Sequence, residues 1–476
     1  MVALEVGGWK LEVGSVTHSP SSIFHSRGRA PTKRRAAILN AEPSPTLKGP
    51  RVPIEWQTST LSNGLRVVTT PVPTAQSVSV NVFVGVGSRG EDRRTNGLSH
   101  YMEHMLFKGT ERRSDAIVIA EAIEGAGGVL NAYTSKELTC YWNQVPFDKL
   151  GLAMDVLADM YRNSLLAQAE IERERAVVQQ EIRRSFDQPG AWASELLSGA
   201  TFGDQPIGWP IAGTIETVET MQRDDFVGHV AAHYVPSNTV VSVAGNTDHA
   251  EVLHLAETLF GDLPASDAPP PLAALAQFAS DRVIVEKREI AQCNLGIALH
   301  ALPRKDPDRY PLMVLNTILG RGMSSRLFKE VRERRGLAYS VGSGVGRYND
   351  IGTMSVSAGV TLENLEGATQ VIRNELFRLT TEPPGEEEMT KARDFSTGNF
   401  RLGLESTMAL AQRAGESLLM TGAIERIDDV VASIGAVTAA DVQRVAQRLF
   451  KPGGFAMAVV GPGGDADRLR AILEAA

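Results

Sequence analysis

The stretch Thr217–Gly245, TVETMQRDDFVGHVAAHYVPSNTVVSVAG, lies without a gap over Ser433–Gly461, SIGAVTAADVQRVAQRLFKPGGFAMAVVG. Asp225 falls on Asp441, Pro236 on Pro452, Val243 on Val459 and Gly245 on Gly461, with Tyr234 facing Phe450. Identity is low, but the order of helix, proline-marked turn, apolar strand and glycine is kept. Apolar stretches opening near Arg66 and Arg282 stand at the same offset of 216 residues (282 − 66 and 461 − 245). A mixed pattern repeated at so long a period is a duplicated α+β unit, in which each copy must build a sheet and cover it with helices.

The seam between the copies is the stretch SDAPPPLAALAQ, where three consecutive prolines, Pro269 to Pro271, read as an extended linker. The organisation that follows is a first domain over 54–265, a linker over 266–280 and a second domain over 281–476. Inside the first domain LSNGLRVVTT and SVSVNVFVGVGS read as strands, with Gly64 in a turn and Val78, Val80, Val82 and Val84 along one face. Residues 1–53 differ in kind. From Gly14 to Ala41 there is no acidic residue, while Arg27, Arg29, Lys33, Arg34 and Arg35 cluster among serines and prolines. An organellar transit peptide has that composition. A leader without stable fold, or a start codon placed too far upstream, is the preferred reading, because the stretch has little helical amphipathicity.

Composition removes several classes of function. At 476 residues, with 43% hydrophobic and 22% charged residues, the chain is globular and long enough for two cores. It lacks an apolar run of about 18 residues that could cross a bilayer. A net charge of −8 and the lack of a basic stripe argue against a nucleic-acid partner. The only cysteines, Cys140 and Cys293, stand in unrelated contexts and make neither a disulfide framework nor a cysteine zinc site.

The first copy holds a segment without counterpart in the second: GLSHYMEHMLFKG, Gly97 to Gly109. At roughly 100° per residue, Leu98, Tyr101, Met102, Met105 and Leu106 fall on one helix face and His100, Glu103, His104 and Phe107 on the other. Asn96 reads as the helix cap and Gly109 as its stop. Histidines at i and i+4 project side by side, as two imidazoles must to share one tetrahedral ion, and Glu103 lies on the same face within reach of a water. A solvated polar face is the alternative. The stretch EIERERAVVQQEIRR offers a third ligand, with Glu174 and Glu181 two turns apart beside Ile171, Val178 and Ile182. Here too a surface helix of ordinary ion pairs stays open as the other reading.

In these residues the chain resembles the M16 metallopeptidases, the family of pitrilysin, insulysin and mitochondrial processing peptidase, whose inverted zinc motif is H-x-x-E-H. The resemblance runs from about Ile54 to the C-terminus. It rests on HYMEHMLFKGT, on GGVLNAYTSKELTCYW, on the helix of Glu174 and Glu181, and on SSRLFKEVRERRGLAYSVGS. It implies two α/β-sandwich-like domains of the M16 and LuxS metalloenzyme type, with mixed or antiparallel sheets packed with helices. It implies one Zn²⁺ per chain held by His100, His104 and Glu181, the last 77 positions after His104 (181 − 104). Glu103 would be the general base and Glu174 the carboxylate supporting the ligands. Asn131 and Ala132 would bind substrate backbone on a pairing strand, and Arg332 and Tyr339 would hold substrate or polarise its carbonyl.

The activity so implied is a zinc-dependent endopeptidase that cleaves peptides, or unfolded or presequence-like segments, inside a chamber closed by two chains. The partner would be a second copy or a related chain. A non-catalytic or assembly subunit of the same family is the alternative. The expected location is cytoplasmic, of a bacterial type, or the mitochondrial matrix if the basic leader is a transit peptide.

Overall fold

In the computed structural model, which describes residues 54–475, the repeated pattern becomes two sheets of one topology. The reading of residues 1–53 lies outside the described residues. The first half opens with β1 (Gln57–Thr60), β2 (Arg66–Pro71), β3 (Ser77–Val84), α1 (Leu98–Met105) and α2 (Ala116–Glu124). It continues through β4 (Val129–Thr134), β5 (Thr139–Pro146), α3 (Leu150–Asn163), α4 (Gln168–Asp187) and α5 (Pro189–Phe202). It closes with α6 (Ile215–Thr220), α7 (Arg223–His233), β6 (Thr239–Gly245) and α8 (His249–Phe260). The second half opens with β7 (Val283–Lys287), β8 (Cys293–Ala301), α9 (Arg309–Gly320), β9 (Ala338–Arg347) and β10 (Gly352–Val360). It ends with α10 (Leu365–Thr381), α11 (Glu386–Leu402), α12 (Thr407–Thr421), α13 (Ile427–Gly435), α14 (Ala439–Leu449), β11 (Ala456–Gly461) and α15 (Ala466–Glu474).

Strand order is β1-β2-β6-β3-β5-β4 in the first sheet and β7-β11-β8-β10-β9 in the second, identical once the short β1 is set aside. Each sheet has one parallel pair, β2 with β6 and β7 with β11. The register repeats to the residue: Val67 faces Val241, and Val283 faces Met457, an offset of 216 in both strands (283 − 67 and 457 − 241). The segment 264–280 carries neither helix nor strand, as an extended connection should.

One face of each sheet is covered by helices of its own half. In the first, Val80, Val82, Tyr141 and Val243 pack against Tyr101, Met105, Met154 and Leu157. The other face is closed by a helix from the opposite half: α12 lies over β2, β3 and β6, while α5 lies over β7, β8 and β11. This exchange explains why β3 is buried along nearly its whole length although it reads as alternating. The valines enter the first core, and Ser79, Asn81 and Phe83 meet α12 or the neighbouring strand. The Ser79 and Thr407 hydroxyls lie 2.9 Å apart, the Ser242 hydroxyl donates to the Ala411 carbonyl at 2.7 Å, and Phe83 packs with Ala414 and Leu418. Glycine permits the approach, since a Cβ at Gly415 would stand 2.2 Å from the Phe83 ring. The mirror contact places Gly296 of β8 under Leu197 of α5.

Glu55–Ala476 form one compact unit, and a buried ion cluster joins its halves. Arg89, 4% exposed, pairs with Glu137 at 2.8 Å, grips both oxygens of Asp350 at 2.9 and 2.8 Å, and donates to the Leu272 carbonyl at 2.6 Å. The Asn349 N–H closes on Glu137 and the Ala274 N–H on Asp350. Among the described residues, no helix is long and apolar enough to cross a membrane.

Candidate metal centre

Two helices and one edge strand build the site. The apolar stripe of α1 is buried as its periodicity requires, which turns His100, Glu103 and His104 toward α4 and β4. Two details of α1 differ from expectation. Asn96 does not cap it; the cap position is Gly97, and the N–H groups of Gly97 and Ser99 go to Glu91. The helix ends at Met105, so Gly109 turns the chain one loop later. On α4, Ile171 and Val178 enter the core, and Glu174 and Glu181 flank them facing α1.

His100 Nε2 and His104 Nε2 each lie 3.5 Å from Glu181 Oε2. That is long for a direct hydrogen bond. It matches the ligand–ligand edge of a tetrahedron with bonds of about 2.0–2.1 Å, roughly 3.3–3.5 Å. Among the described residues, this is the one group of three or more His, Cys, Asp or Glu side chains close enough to share an ion. His104 Nδ1 is 3.1 Å from Glu174 Oε2, and Lys108 Nζ holds the other Glu174 oxygen at 2.6 Å. A ring nitrogen engaged in this way fixes the imidazole so that Nε2 points at the shared centre. The donor set therefore fits zinc.

Charge in the cluster is divided unevenly. Burial pulls His100 down to about 4, reinforced by the neighbouring His104. Burial also opposes charge on His104, but Glu174 and Glu181 outweigh it and hold that imidazole up at about 9. Burial thus pushes His100 toward its neutral form, while the two carboxylates push His104 toward its charged one. Glu174 and Glu181 both sit below the ordinary carboxylate range: burial works against this, and His104 overrides it. Glu103 goes the other way, raised by burial, while the Thr134 hydroxyl donates to its Oε2 at 2.7 Å and pulls back.

Thr134 ends β4, the edge strand of the first sheet. Leu130 and Ala132 pack toward the first core, and Asn131 is exposed. The Ala132 N–H is occupied by its neighbour's Asn131 Oδ1 at 2.8 Å. Arg332 and Tyr339 lie in the second half, on a π-helical turn over Phe328–Glu333 and on β9, its edge strand. The Arg332 guanidinium stacks between the rings of Phe328 and Tyr339 at 4.9 and 5.5 Å, and Tyr339 is 79% exposed. Among the described residues, neither bonds to nor stacks on the histidine cluster. Position for position, α9 stands where α1 stands in the first half, and it is buried nearly throughout with no histidine.

The sequence reading had not singled out Lys108, Thr134 or Glu91 for the parts they take here. Lys108 stands four residues after His104, and Thr134 shares the strand face of Ala132, so spacing could have found both. Glu91 has no local signal; only folding brings it to α1.

Comparison with known proteins agrees with this architecture. The family model for insulinase (peptidase family M16) matches residues 66–215, and that described as the peptidase M16 inactive domain matches residues 220–395. An uncharacterized zinc protease of Streptomyces coelicolor is 38% identical over 412 residues, covering 85% of this chain and 89% of that protein. Another, from Bacillus subtilis, is 36% identical over 406 residues and covers 85% and 98%. A protease from Helicobacter pylori superimposes with a TM-score of 0.79 at 23% identity, covering 86% of this chain and all 100% of the other. The chain belongs to the M16 peptidase family, as its motifs implied, and its two helix-packed sheets have the fold expected of that family.

Proposed function

We propose that this chain is a zinc-dependent endopeptidase, with one ion per chain held by His100, His104 and Glu181. The observation carrying the proposal is the convergence of both Nε2 atoms on Glu181 Oε2 at 3.5 Å, with the Glu103 carboxylate on the same helix face beside them. Zinc at that point supplies Lewis-acid polarisation and lowers the pKa of a water toward about 7. Glu103 takes a proton from the attacking water and delivers it to the leaving amine, oriented throughout by Thr134. Glu174 keeps His104 in the tautomer that offers Nε2. The open edge of β4 pairs with an extended peptide, whose carbonyl displaces Asn131 Oδ1 from the Ala132 N–H. Edge pairing reads backbone rather than side chains, which suits unfolded or presequence-like segments.

Arg332 and Tyr339 act on the substrate from the second half. With Tyr339 79% exposed and neither residue bonded to the cluster of its own chain, they fit best across a chamber formed with a second, related chain. First and second domains over 54–265 and 281–476 then divide the work, one holding the metal and the other contacting substrate.

The decisive experiment is Glu103→Gln. Cleavage of an unstructured peptide should fall by about 10²- to 10⁴-fold, the usual contribution of a general base. Metal analysis should still find one zinc per chain, and Glu181→Ala should lose it. Full activity in Glu103→Gln would remove Glu103 from the reaction.

A further inference from the structure

The helix carrying both histidines has no capping side chain of its own. Its cap position is Gly97 at φ 101°, the left-handed region, pressed so closely on the Ala212 carbonyl that a Cβ would stand 2.6 Å away. The capping group comes instead from another element. Glu91 Oε2 accepts from the Gly97 N–H at 2.7 Å and from Asn96 Nδ2 at 3.1 Å, and Glu91 Oε1 accepts from the Ser99 N–H at 2.6 Å. Its carboxylate is buried, with the residue 3% exposed. A surface serine or asparagine could cap a helix for about 1 kcal/mol without burying a carboxyl group. A helix end gripped from inside the protein has its position set by whatever holds the grip.

What holds it is the turn Ser88–Gly90, and that turn is fixed to the hairpin between β4 and β5. The Ser88 N–H donates to the Ser135 carbonyl at 3.1 Å and the Arg89 N–H to the Lys136 carbonyl at 2.9 Å. The Arg89 side chain ties the same hairpin to Asp350 of the second half through Glu137. Glu91 thus hangs the first turn of α1 from the strand whose Thr134 holds Glu103. Ser99, its backbone partner inside the helix, immediately precedes His100.

We propose that Glu91 is a positioning residue of the metal site. By fixing the height and rotation of α1 against the β4–β5 hairpin, it brings His100 and His104 to Glu181 and Glu103 to Thr134, while touching neither ion nor peptide. The inference rests on the zinc reading above.

Glu91→Gln in the full chain tests it, because glutamine keeps the length but turns one acceptor oxygen into an NH₂ facing a backbone N–H. In the metal-free protein, hydrogen–deuterium exchange across residues 97–101 should quicken. Zinc affinity, read by chelator competition, should fall about tenfold, as for other groups that orient ligands. kcat should fall with KM unchanged, since β4 is intact. Glu91→Asp, one methylene shorter and still a carboxyl group, should shift all three in the same direction by less, and it supplies the measurement if Glu91→Gln does not fold. A lowered melting temperature with helix exchange, zinc affinity and kcat at wild-type values would make Glu91 a stability residue only and overturn the proposal. A wild-type protein that holds no zinc would overturn the zinc reading and this inference with it. Wild-type behaviour of both variants in a protein that does hold zinc overturns the inference alone.

Discussion

His229 is buried on α7 with its Nε2 unpartnered, its ring 4.9 Å from that of His233 and 5.9 Å from that of Tyr234. Burial, reinforced by His233, pushes its pKa down to about 3. In the unfolded chain the same imidazole takes a proton below about 6.5. Between those values the unfolded state binds a proton that the folded state refuses, so stability falls as pH drops from 6.5 toward 3. The slope from this group is at most about 1.4 kcal/mol per pH unit. Urea unfolding at pH 7.5 and 5 should therefore show a smaller acid loss for His229→Leu than for wild type; equal losses would refute the assignment. Residue-scale chemistry at the metal centre was legible where it is local. His100, Glu103 and His104 share a face by helix geometry, and Glu174 and Glu181 stand two turns apart on another. Glu91 was not legible, because nothing in six to eight residues of loop announces that its carboxylate will enter a helix.

Among the elements, β3 shows how far alternation can be read. Its valines marked one face correctly. The other face, with Ser79 and Asn81, has the polarity of a solvent-facing surface and is buried nonetheless, since the Thr407 hydroxyl of α12 meets Ser79 and the neighbouring Cys140 thiol meets Asn81. Close helix-to-sheet contact depends on Gly415, so Gly415→Ala forces Phe83 or the helix to shift. A loss of about 1–3 kcal/mol in unfolding free energy is expected, the usual cost of overpacking. An unchanged denaturation midpoint would mean that α12 rides further from the sheet than 2.2 Å implies. The second-half segment carrying Arg332 and Tyr339 was singled out by resemblance alone, with no secondary structure read from it. The π-helical turn was not legible, because its extra residue per turn has no composition of its own.

On the scale of the whole molecule the duplication was readable, since a 29-residue alignment (245 − 217 + 1) carried the offset that the strand registers repeat. The exchange of α5 and α12 was not, because an amphipathic helix presents the same pattern whichever sheet it covers. The halves are also held at Arg89. Arg89→Ala removes a buried partner from Glu137, which keeps Arg304 and the Asn349 N–H, and from the part-exposed Asp350, which keeps the Ala274 N–H. A loss of about 1–3 kcal/mol is expected, the cost of an unmade bond to a buried polar group. Limited proteolysis should cut near Leu272 and Ala274, which Arg89 and Asp350 pin, faster than in wild type. Wild-type cleavage rates would show that the segment is held by other contacts.

The crossing of α5 and α12 also bears on how the chain is made. When synthesis has passed β3, the face bearing Phe83 waits for a helix that begins 323 residues later (407 − 84). The first sheet is complete only once β6 is made, so from Gly245 to α12, 162 residues (407 − 245), a nascent first half carries an uncovered sheet at risk of sticking to other chains. The long wait makes the last quarter of the message, far from the candidate metal ligands, decide whether the half that carries them ever closes.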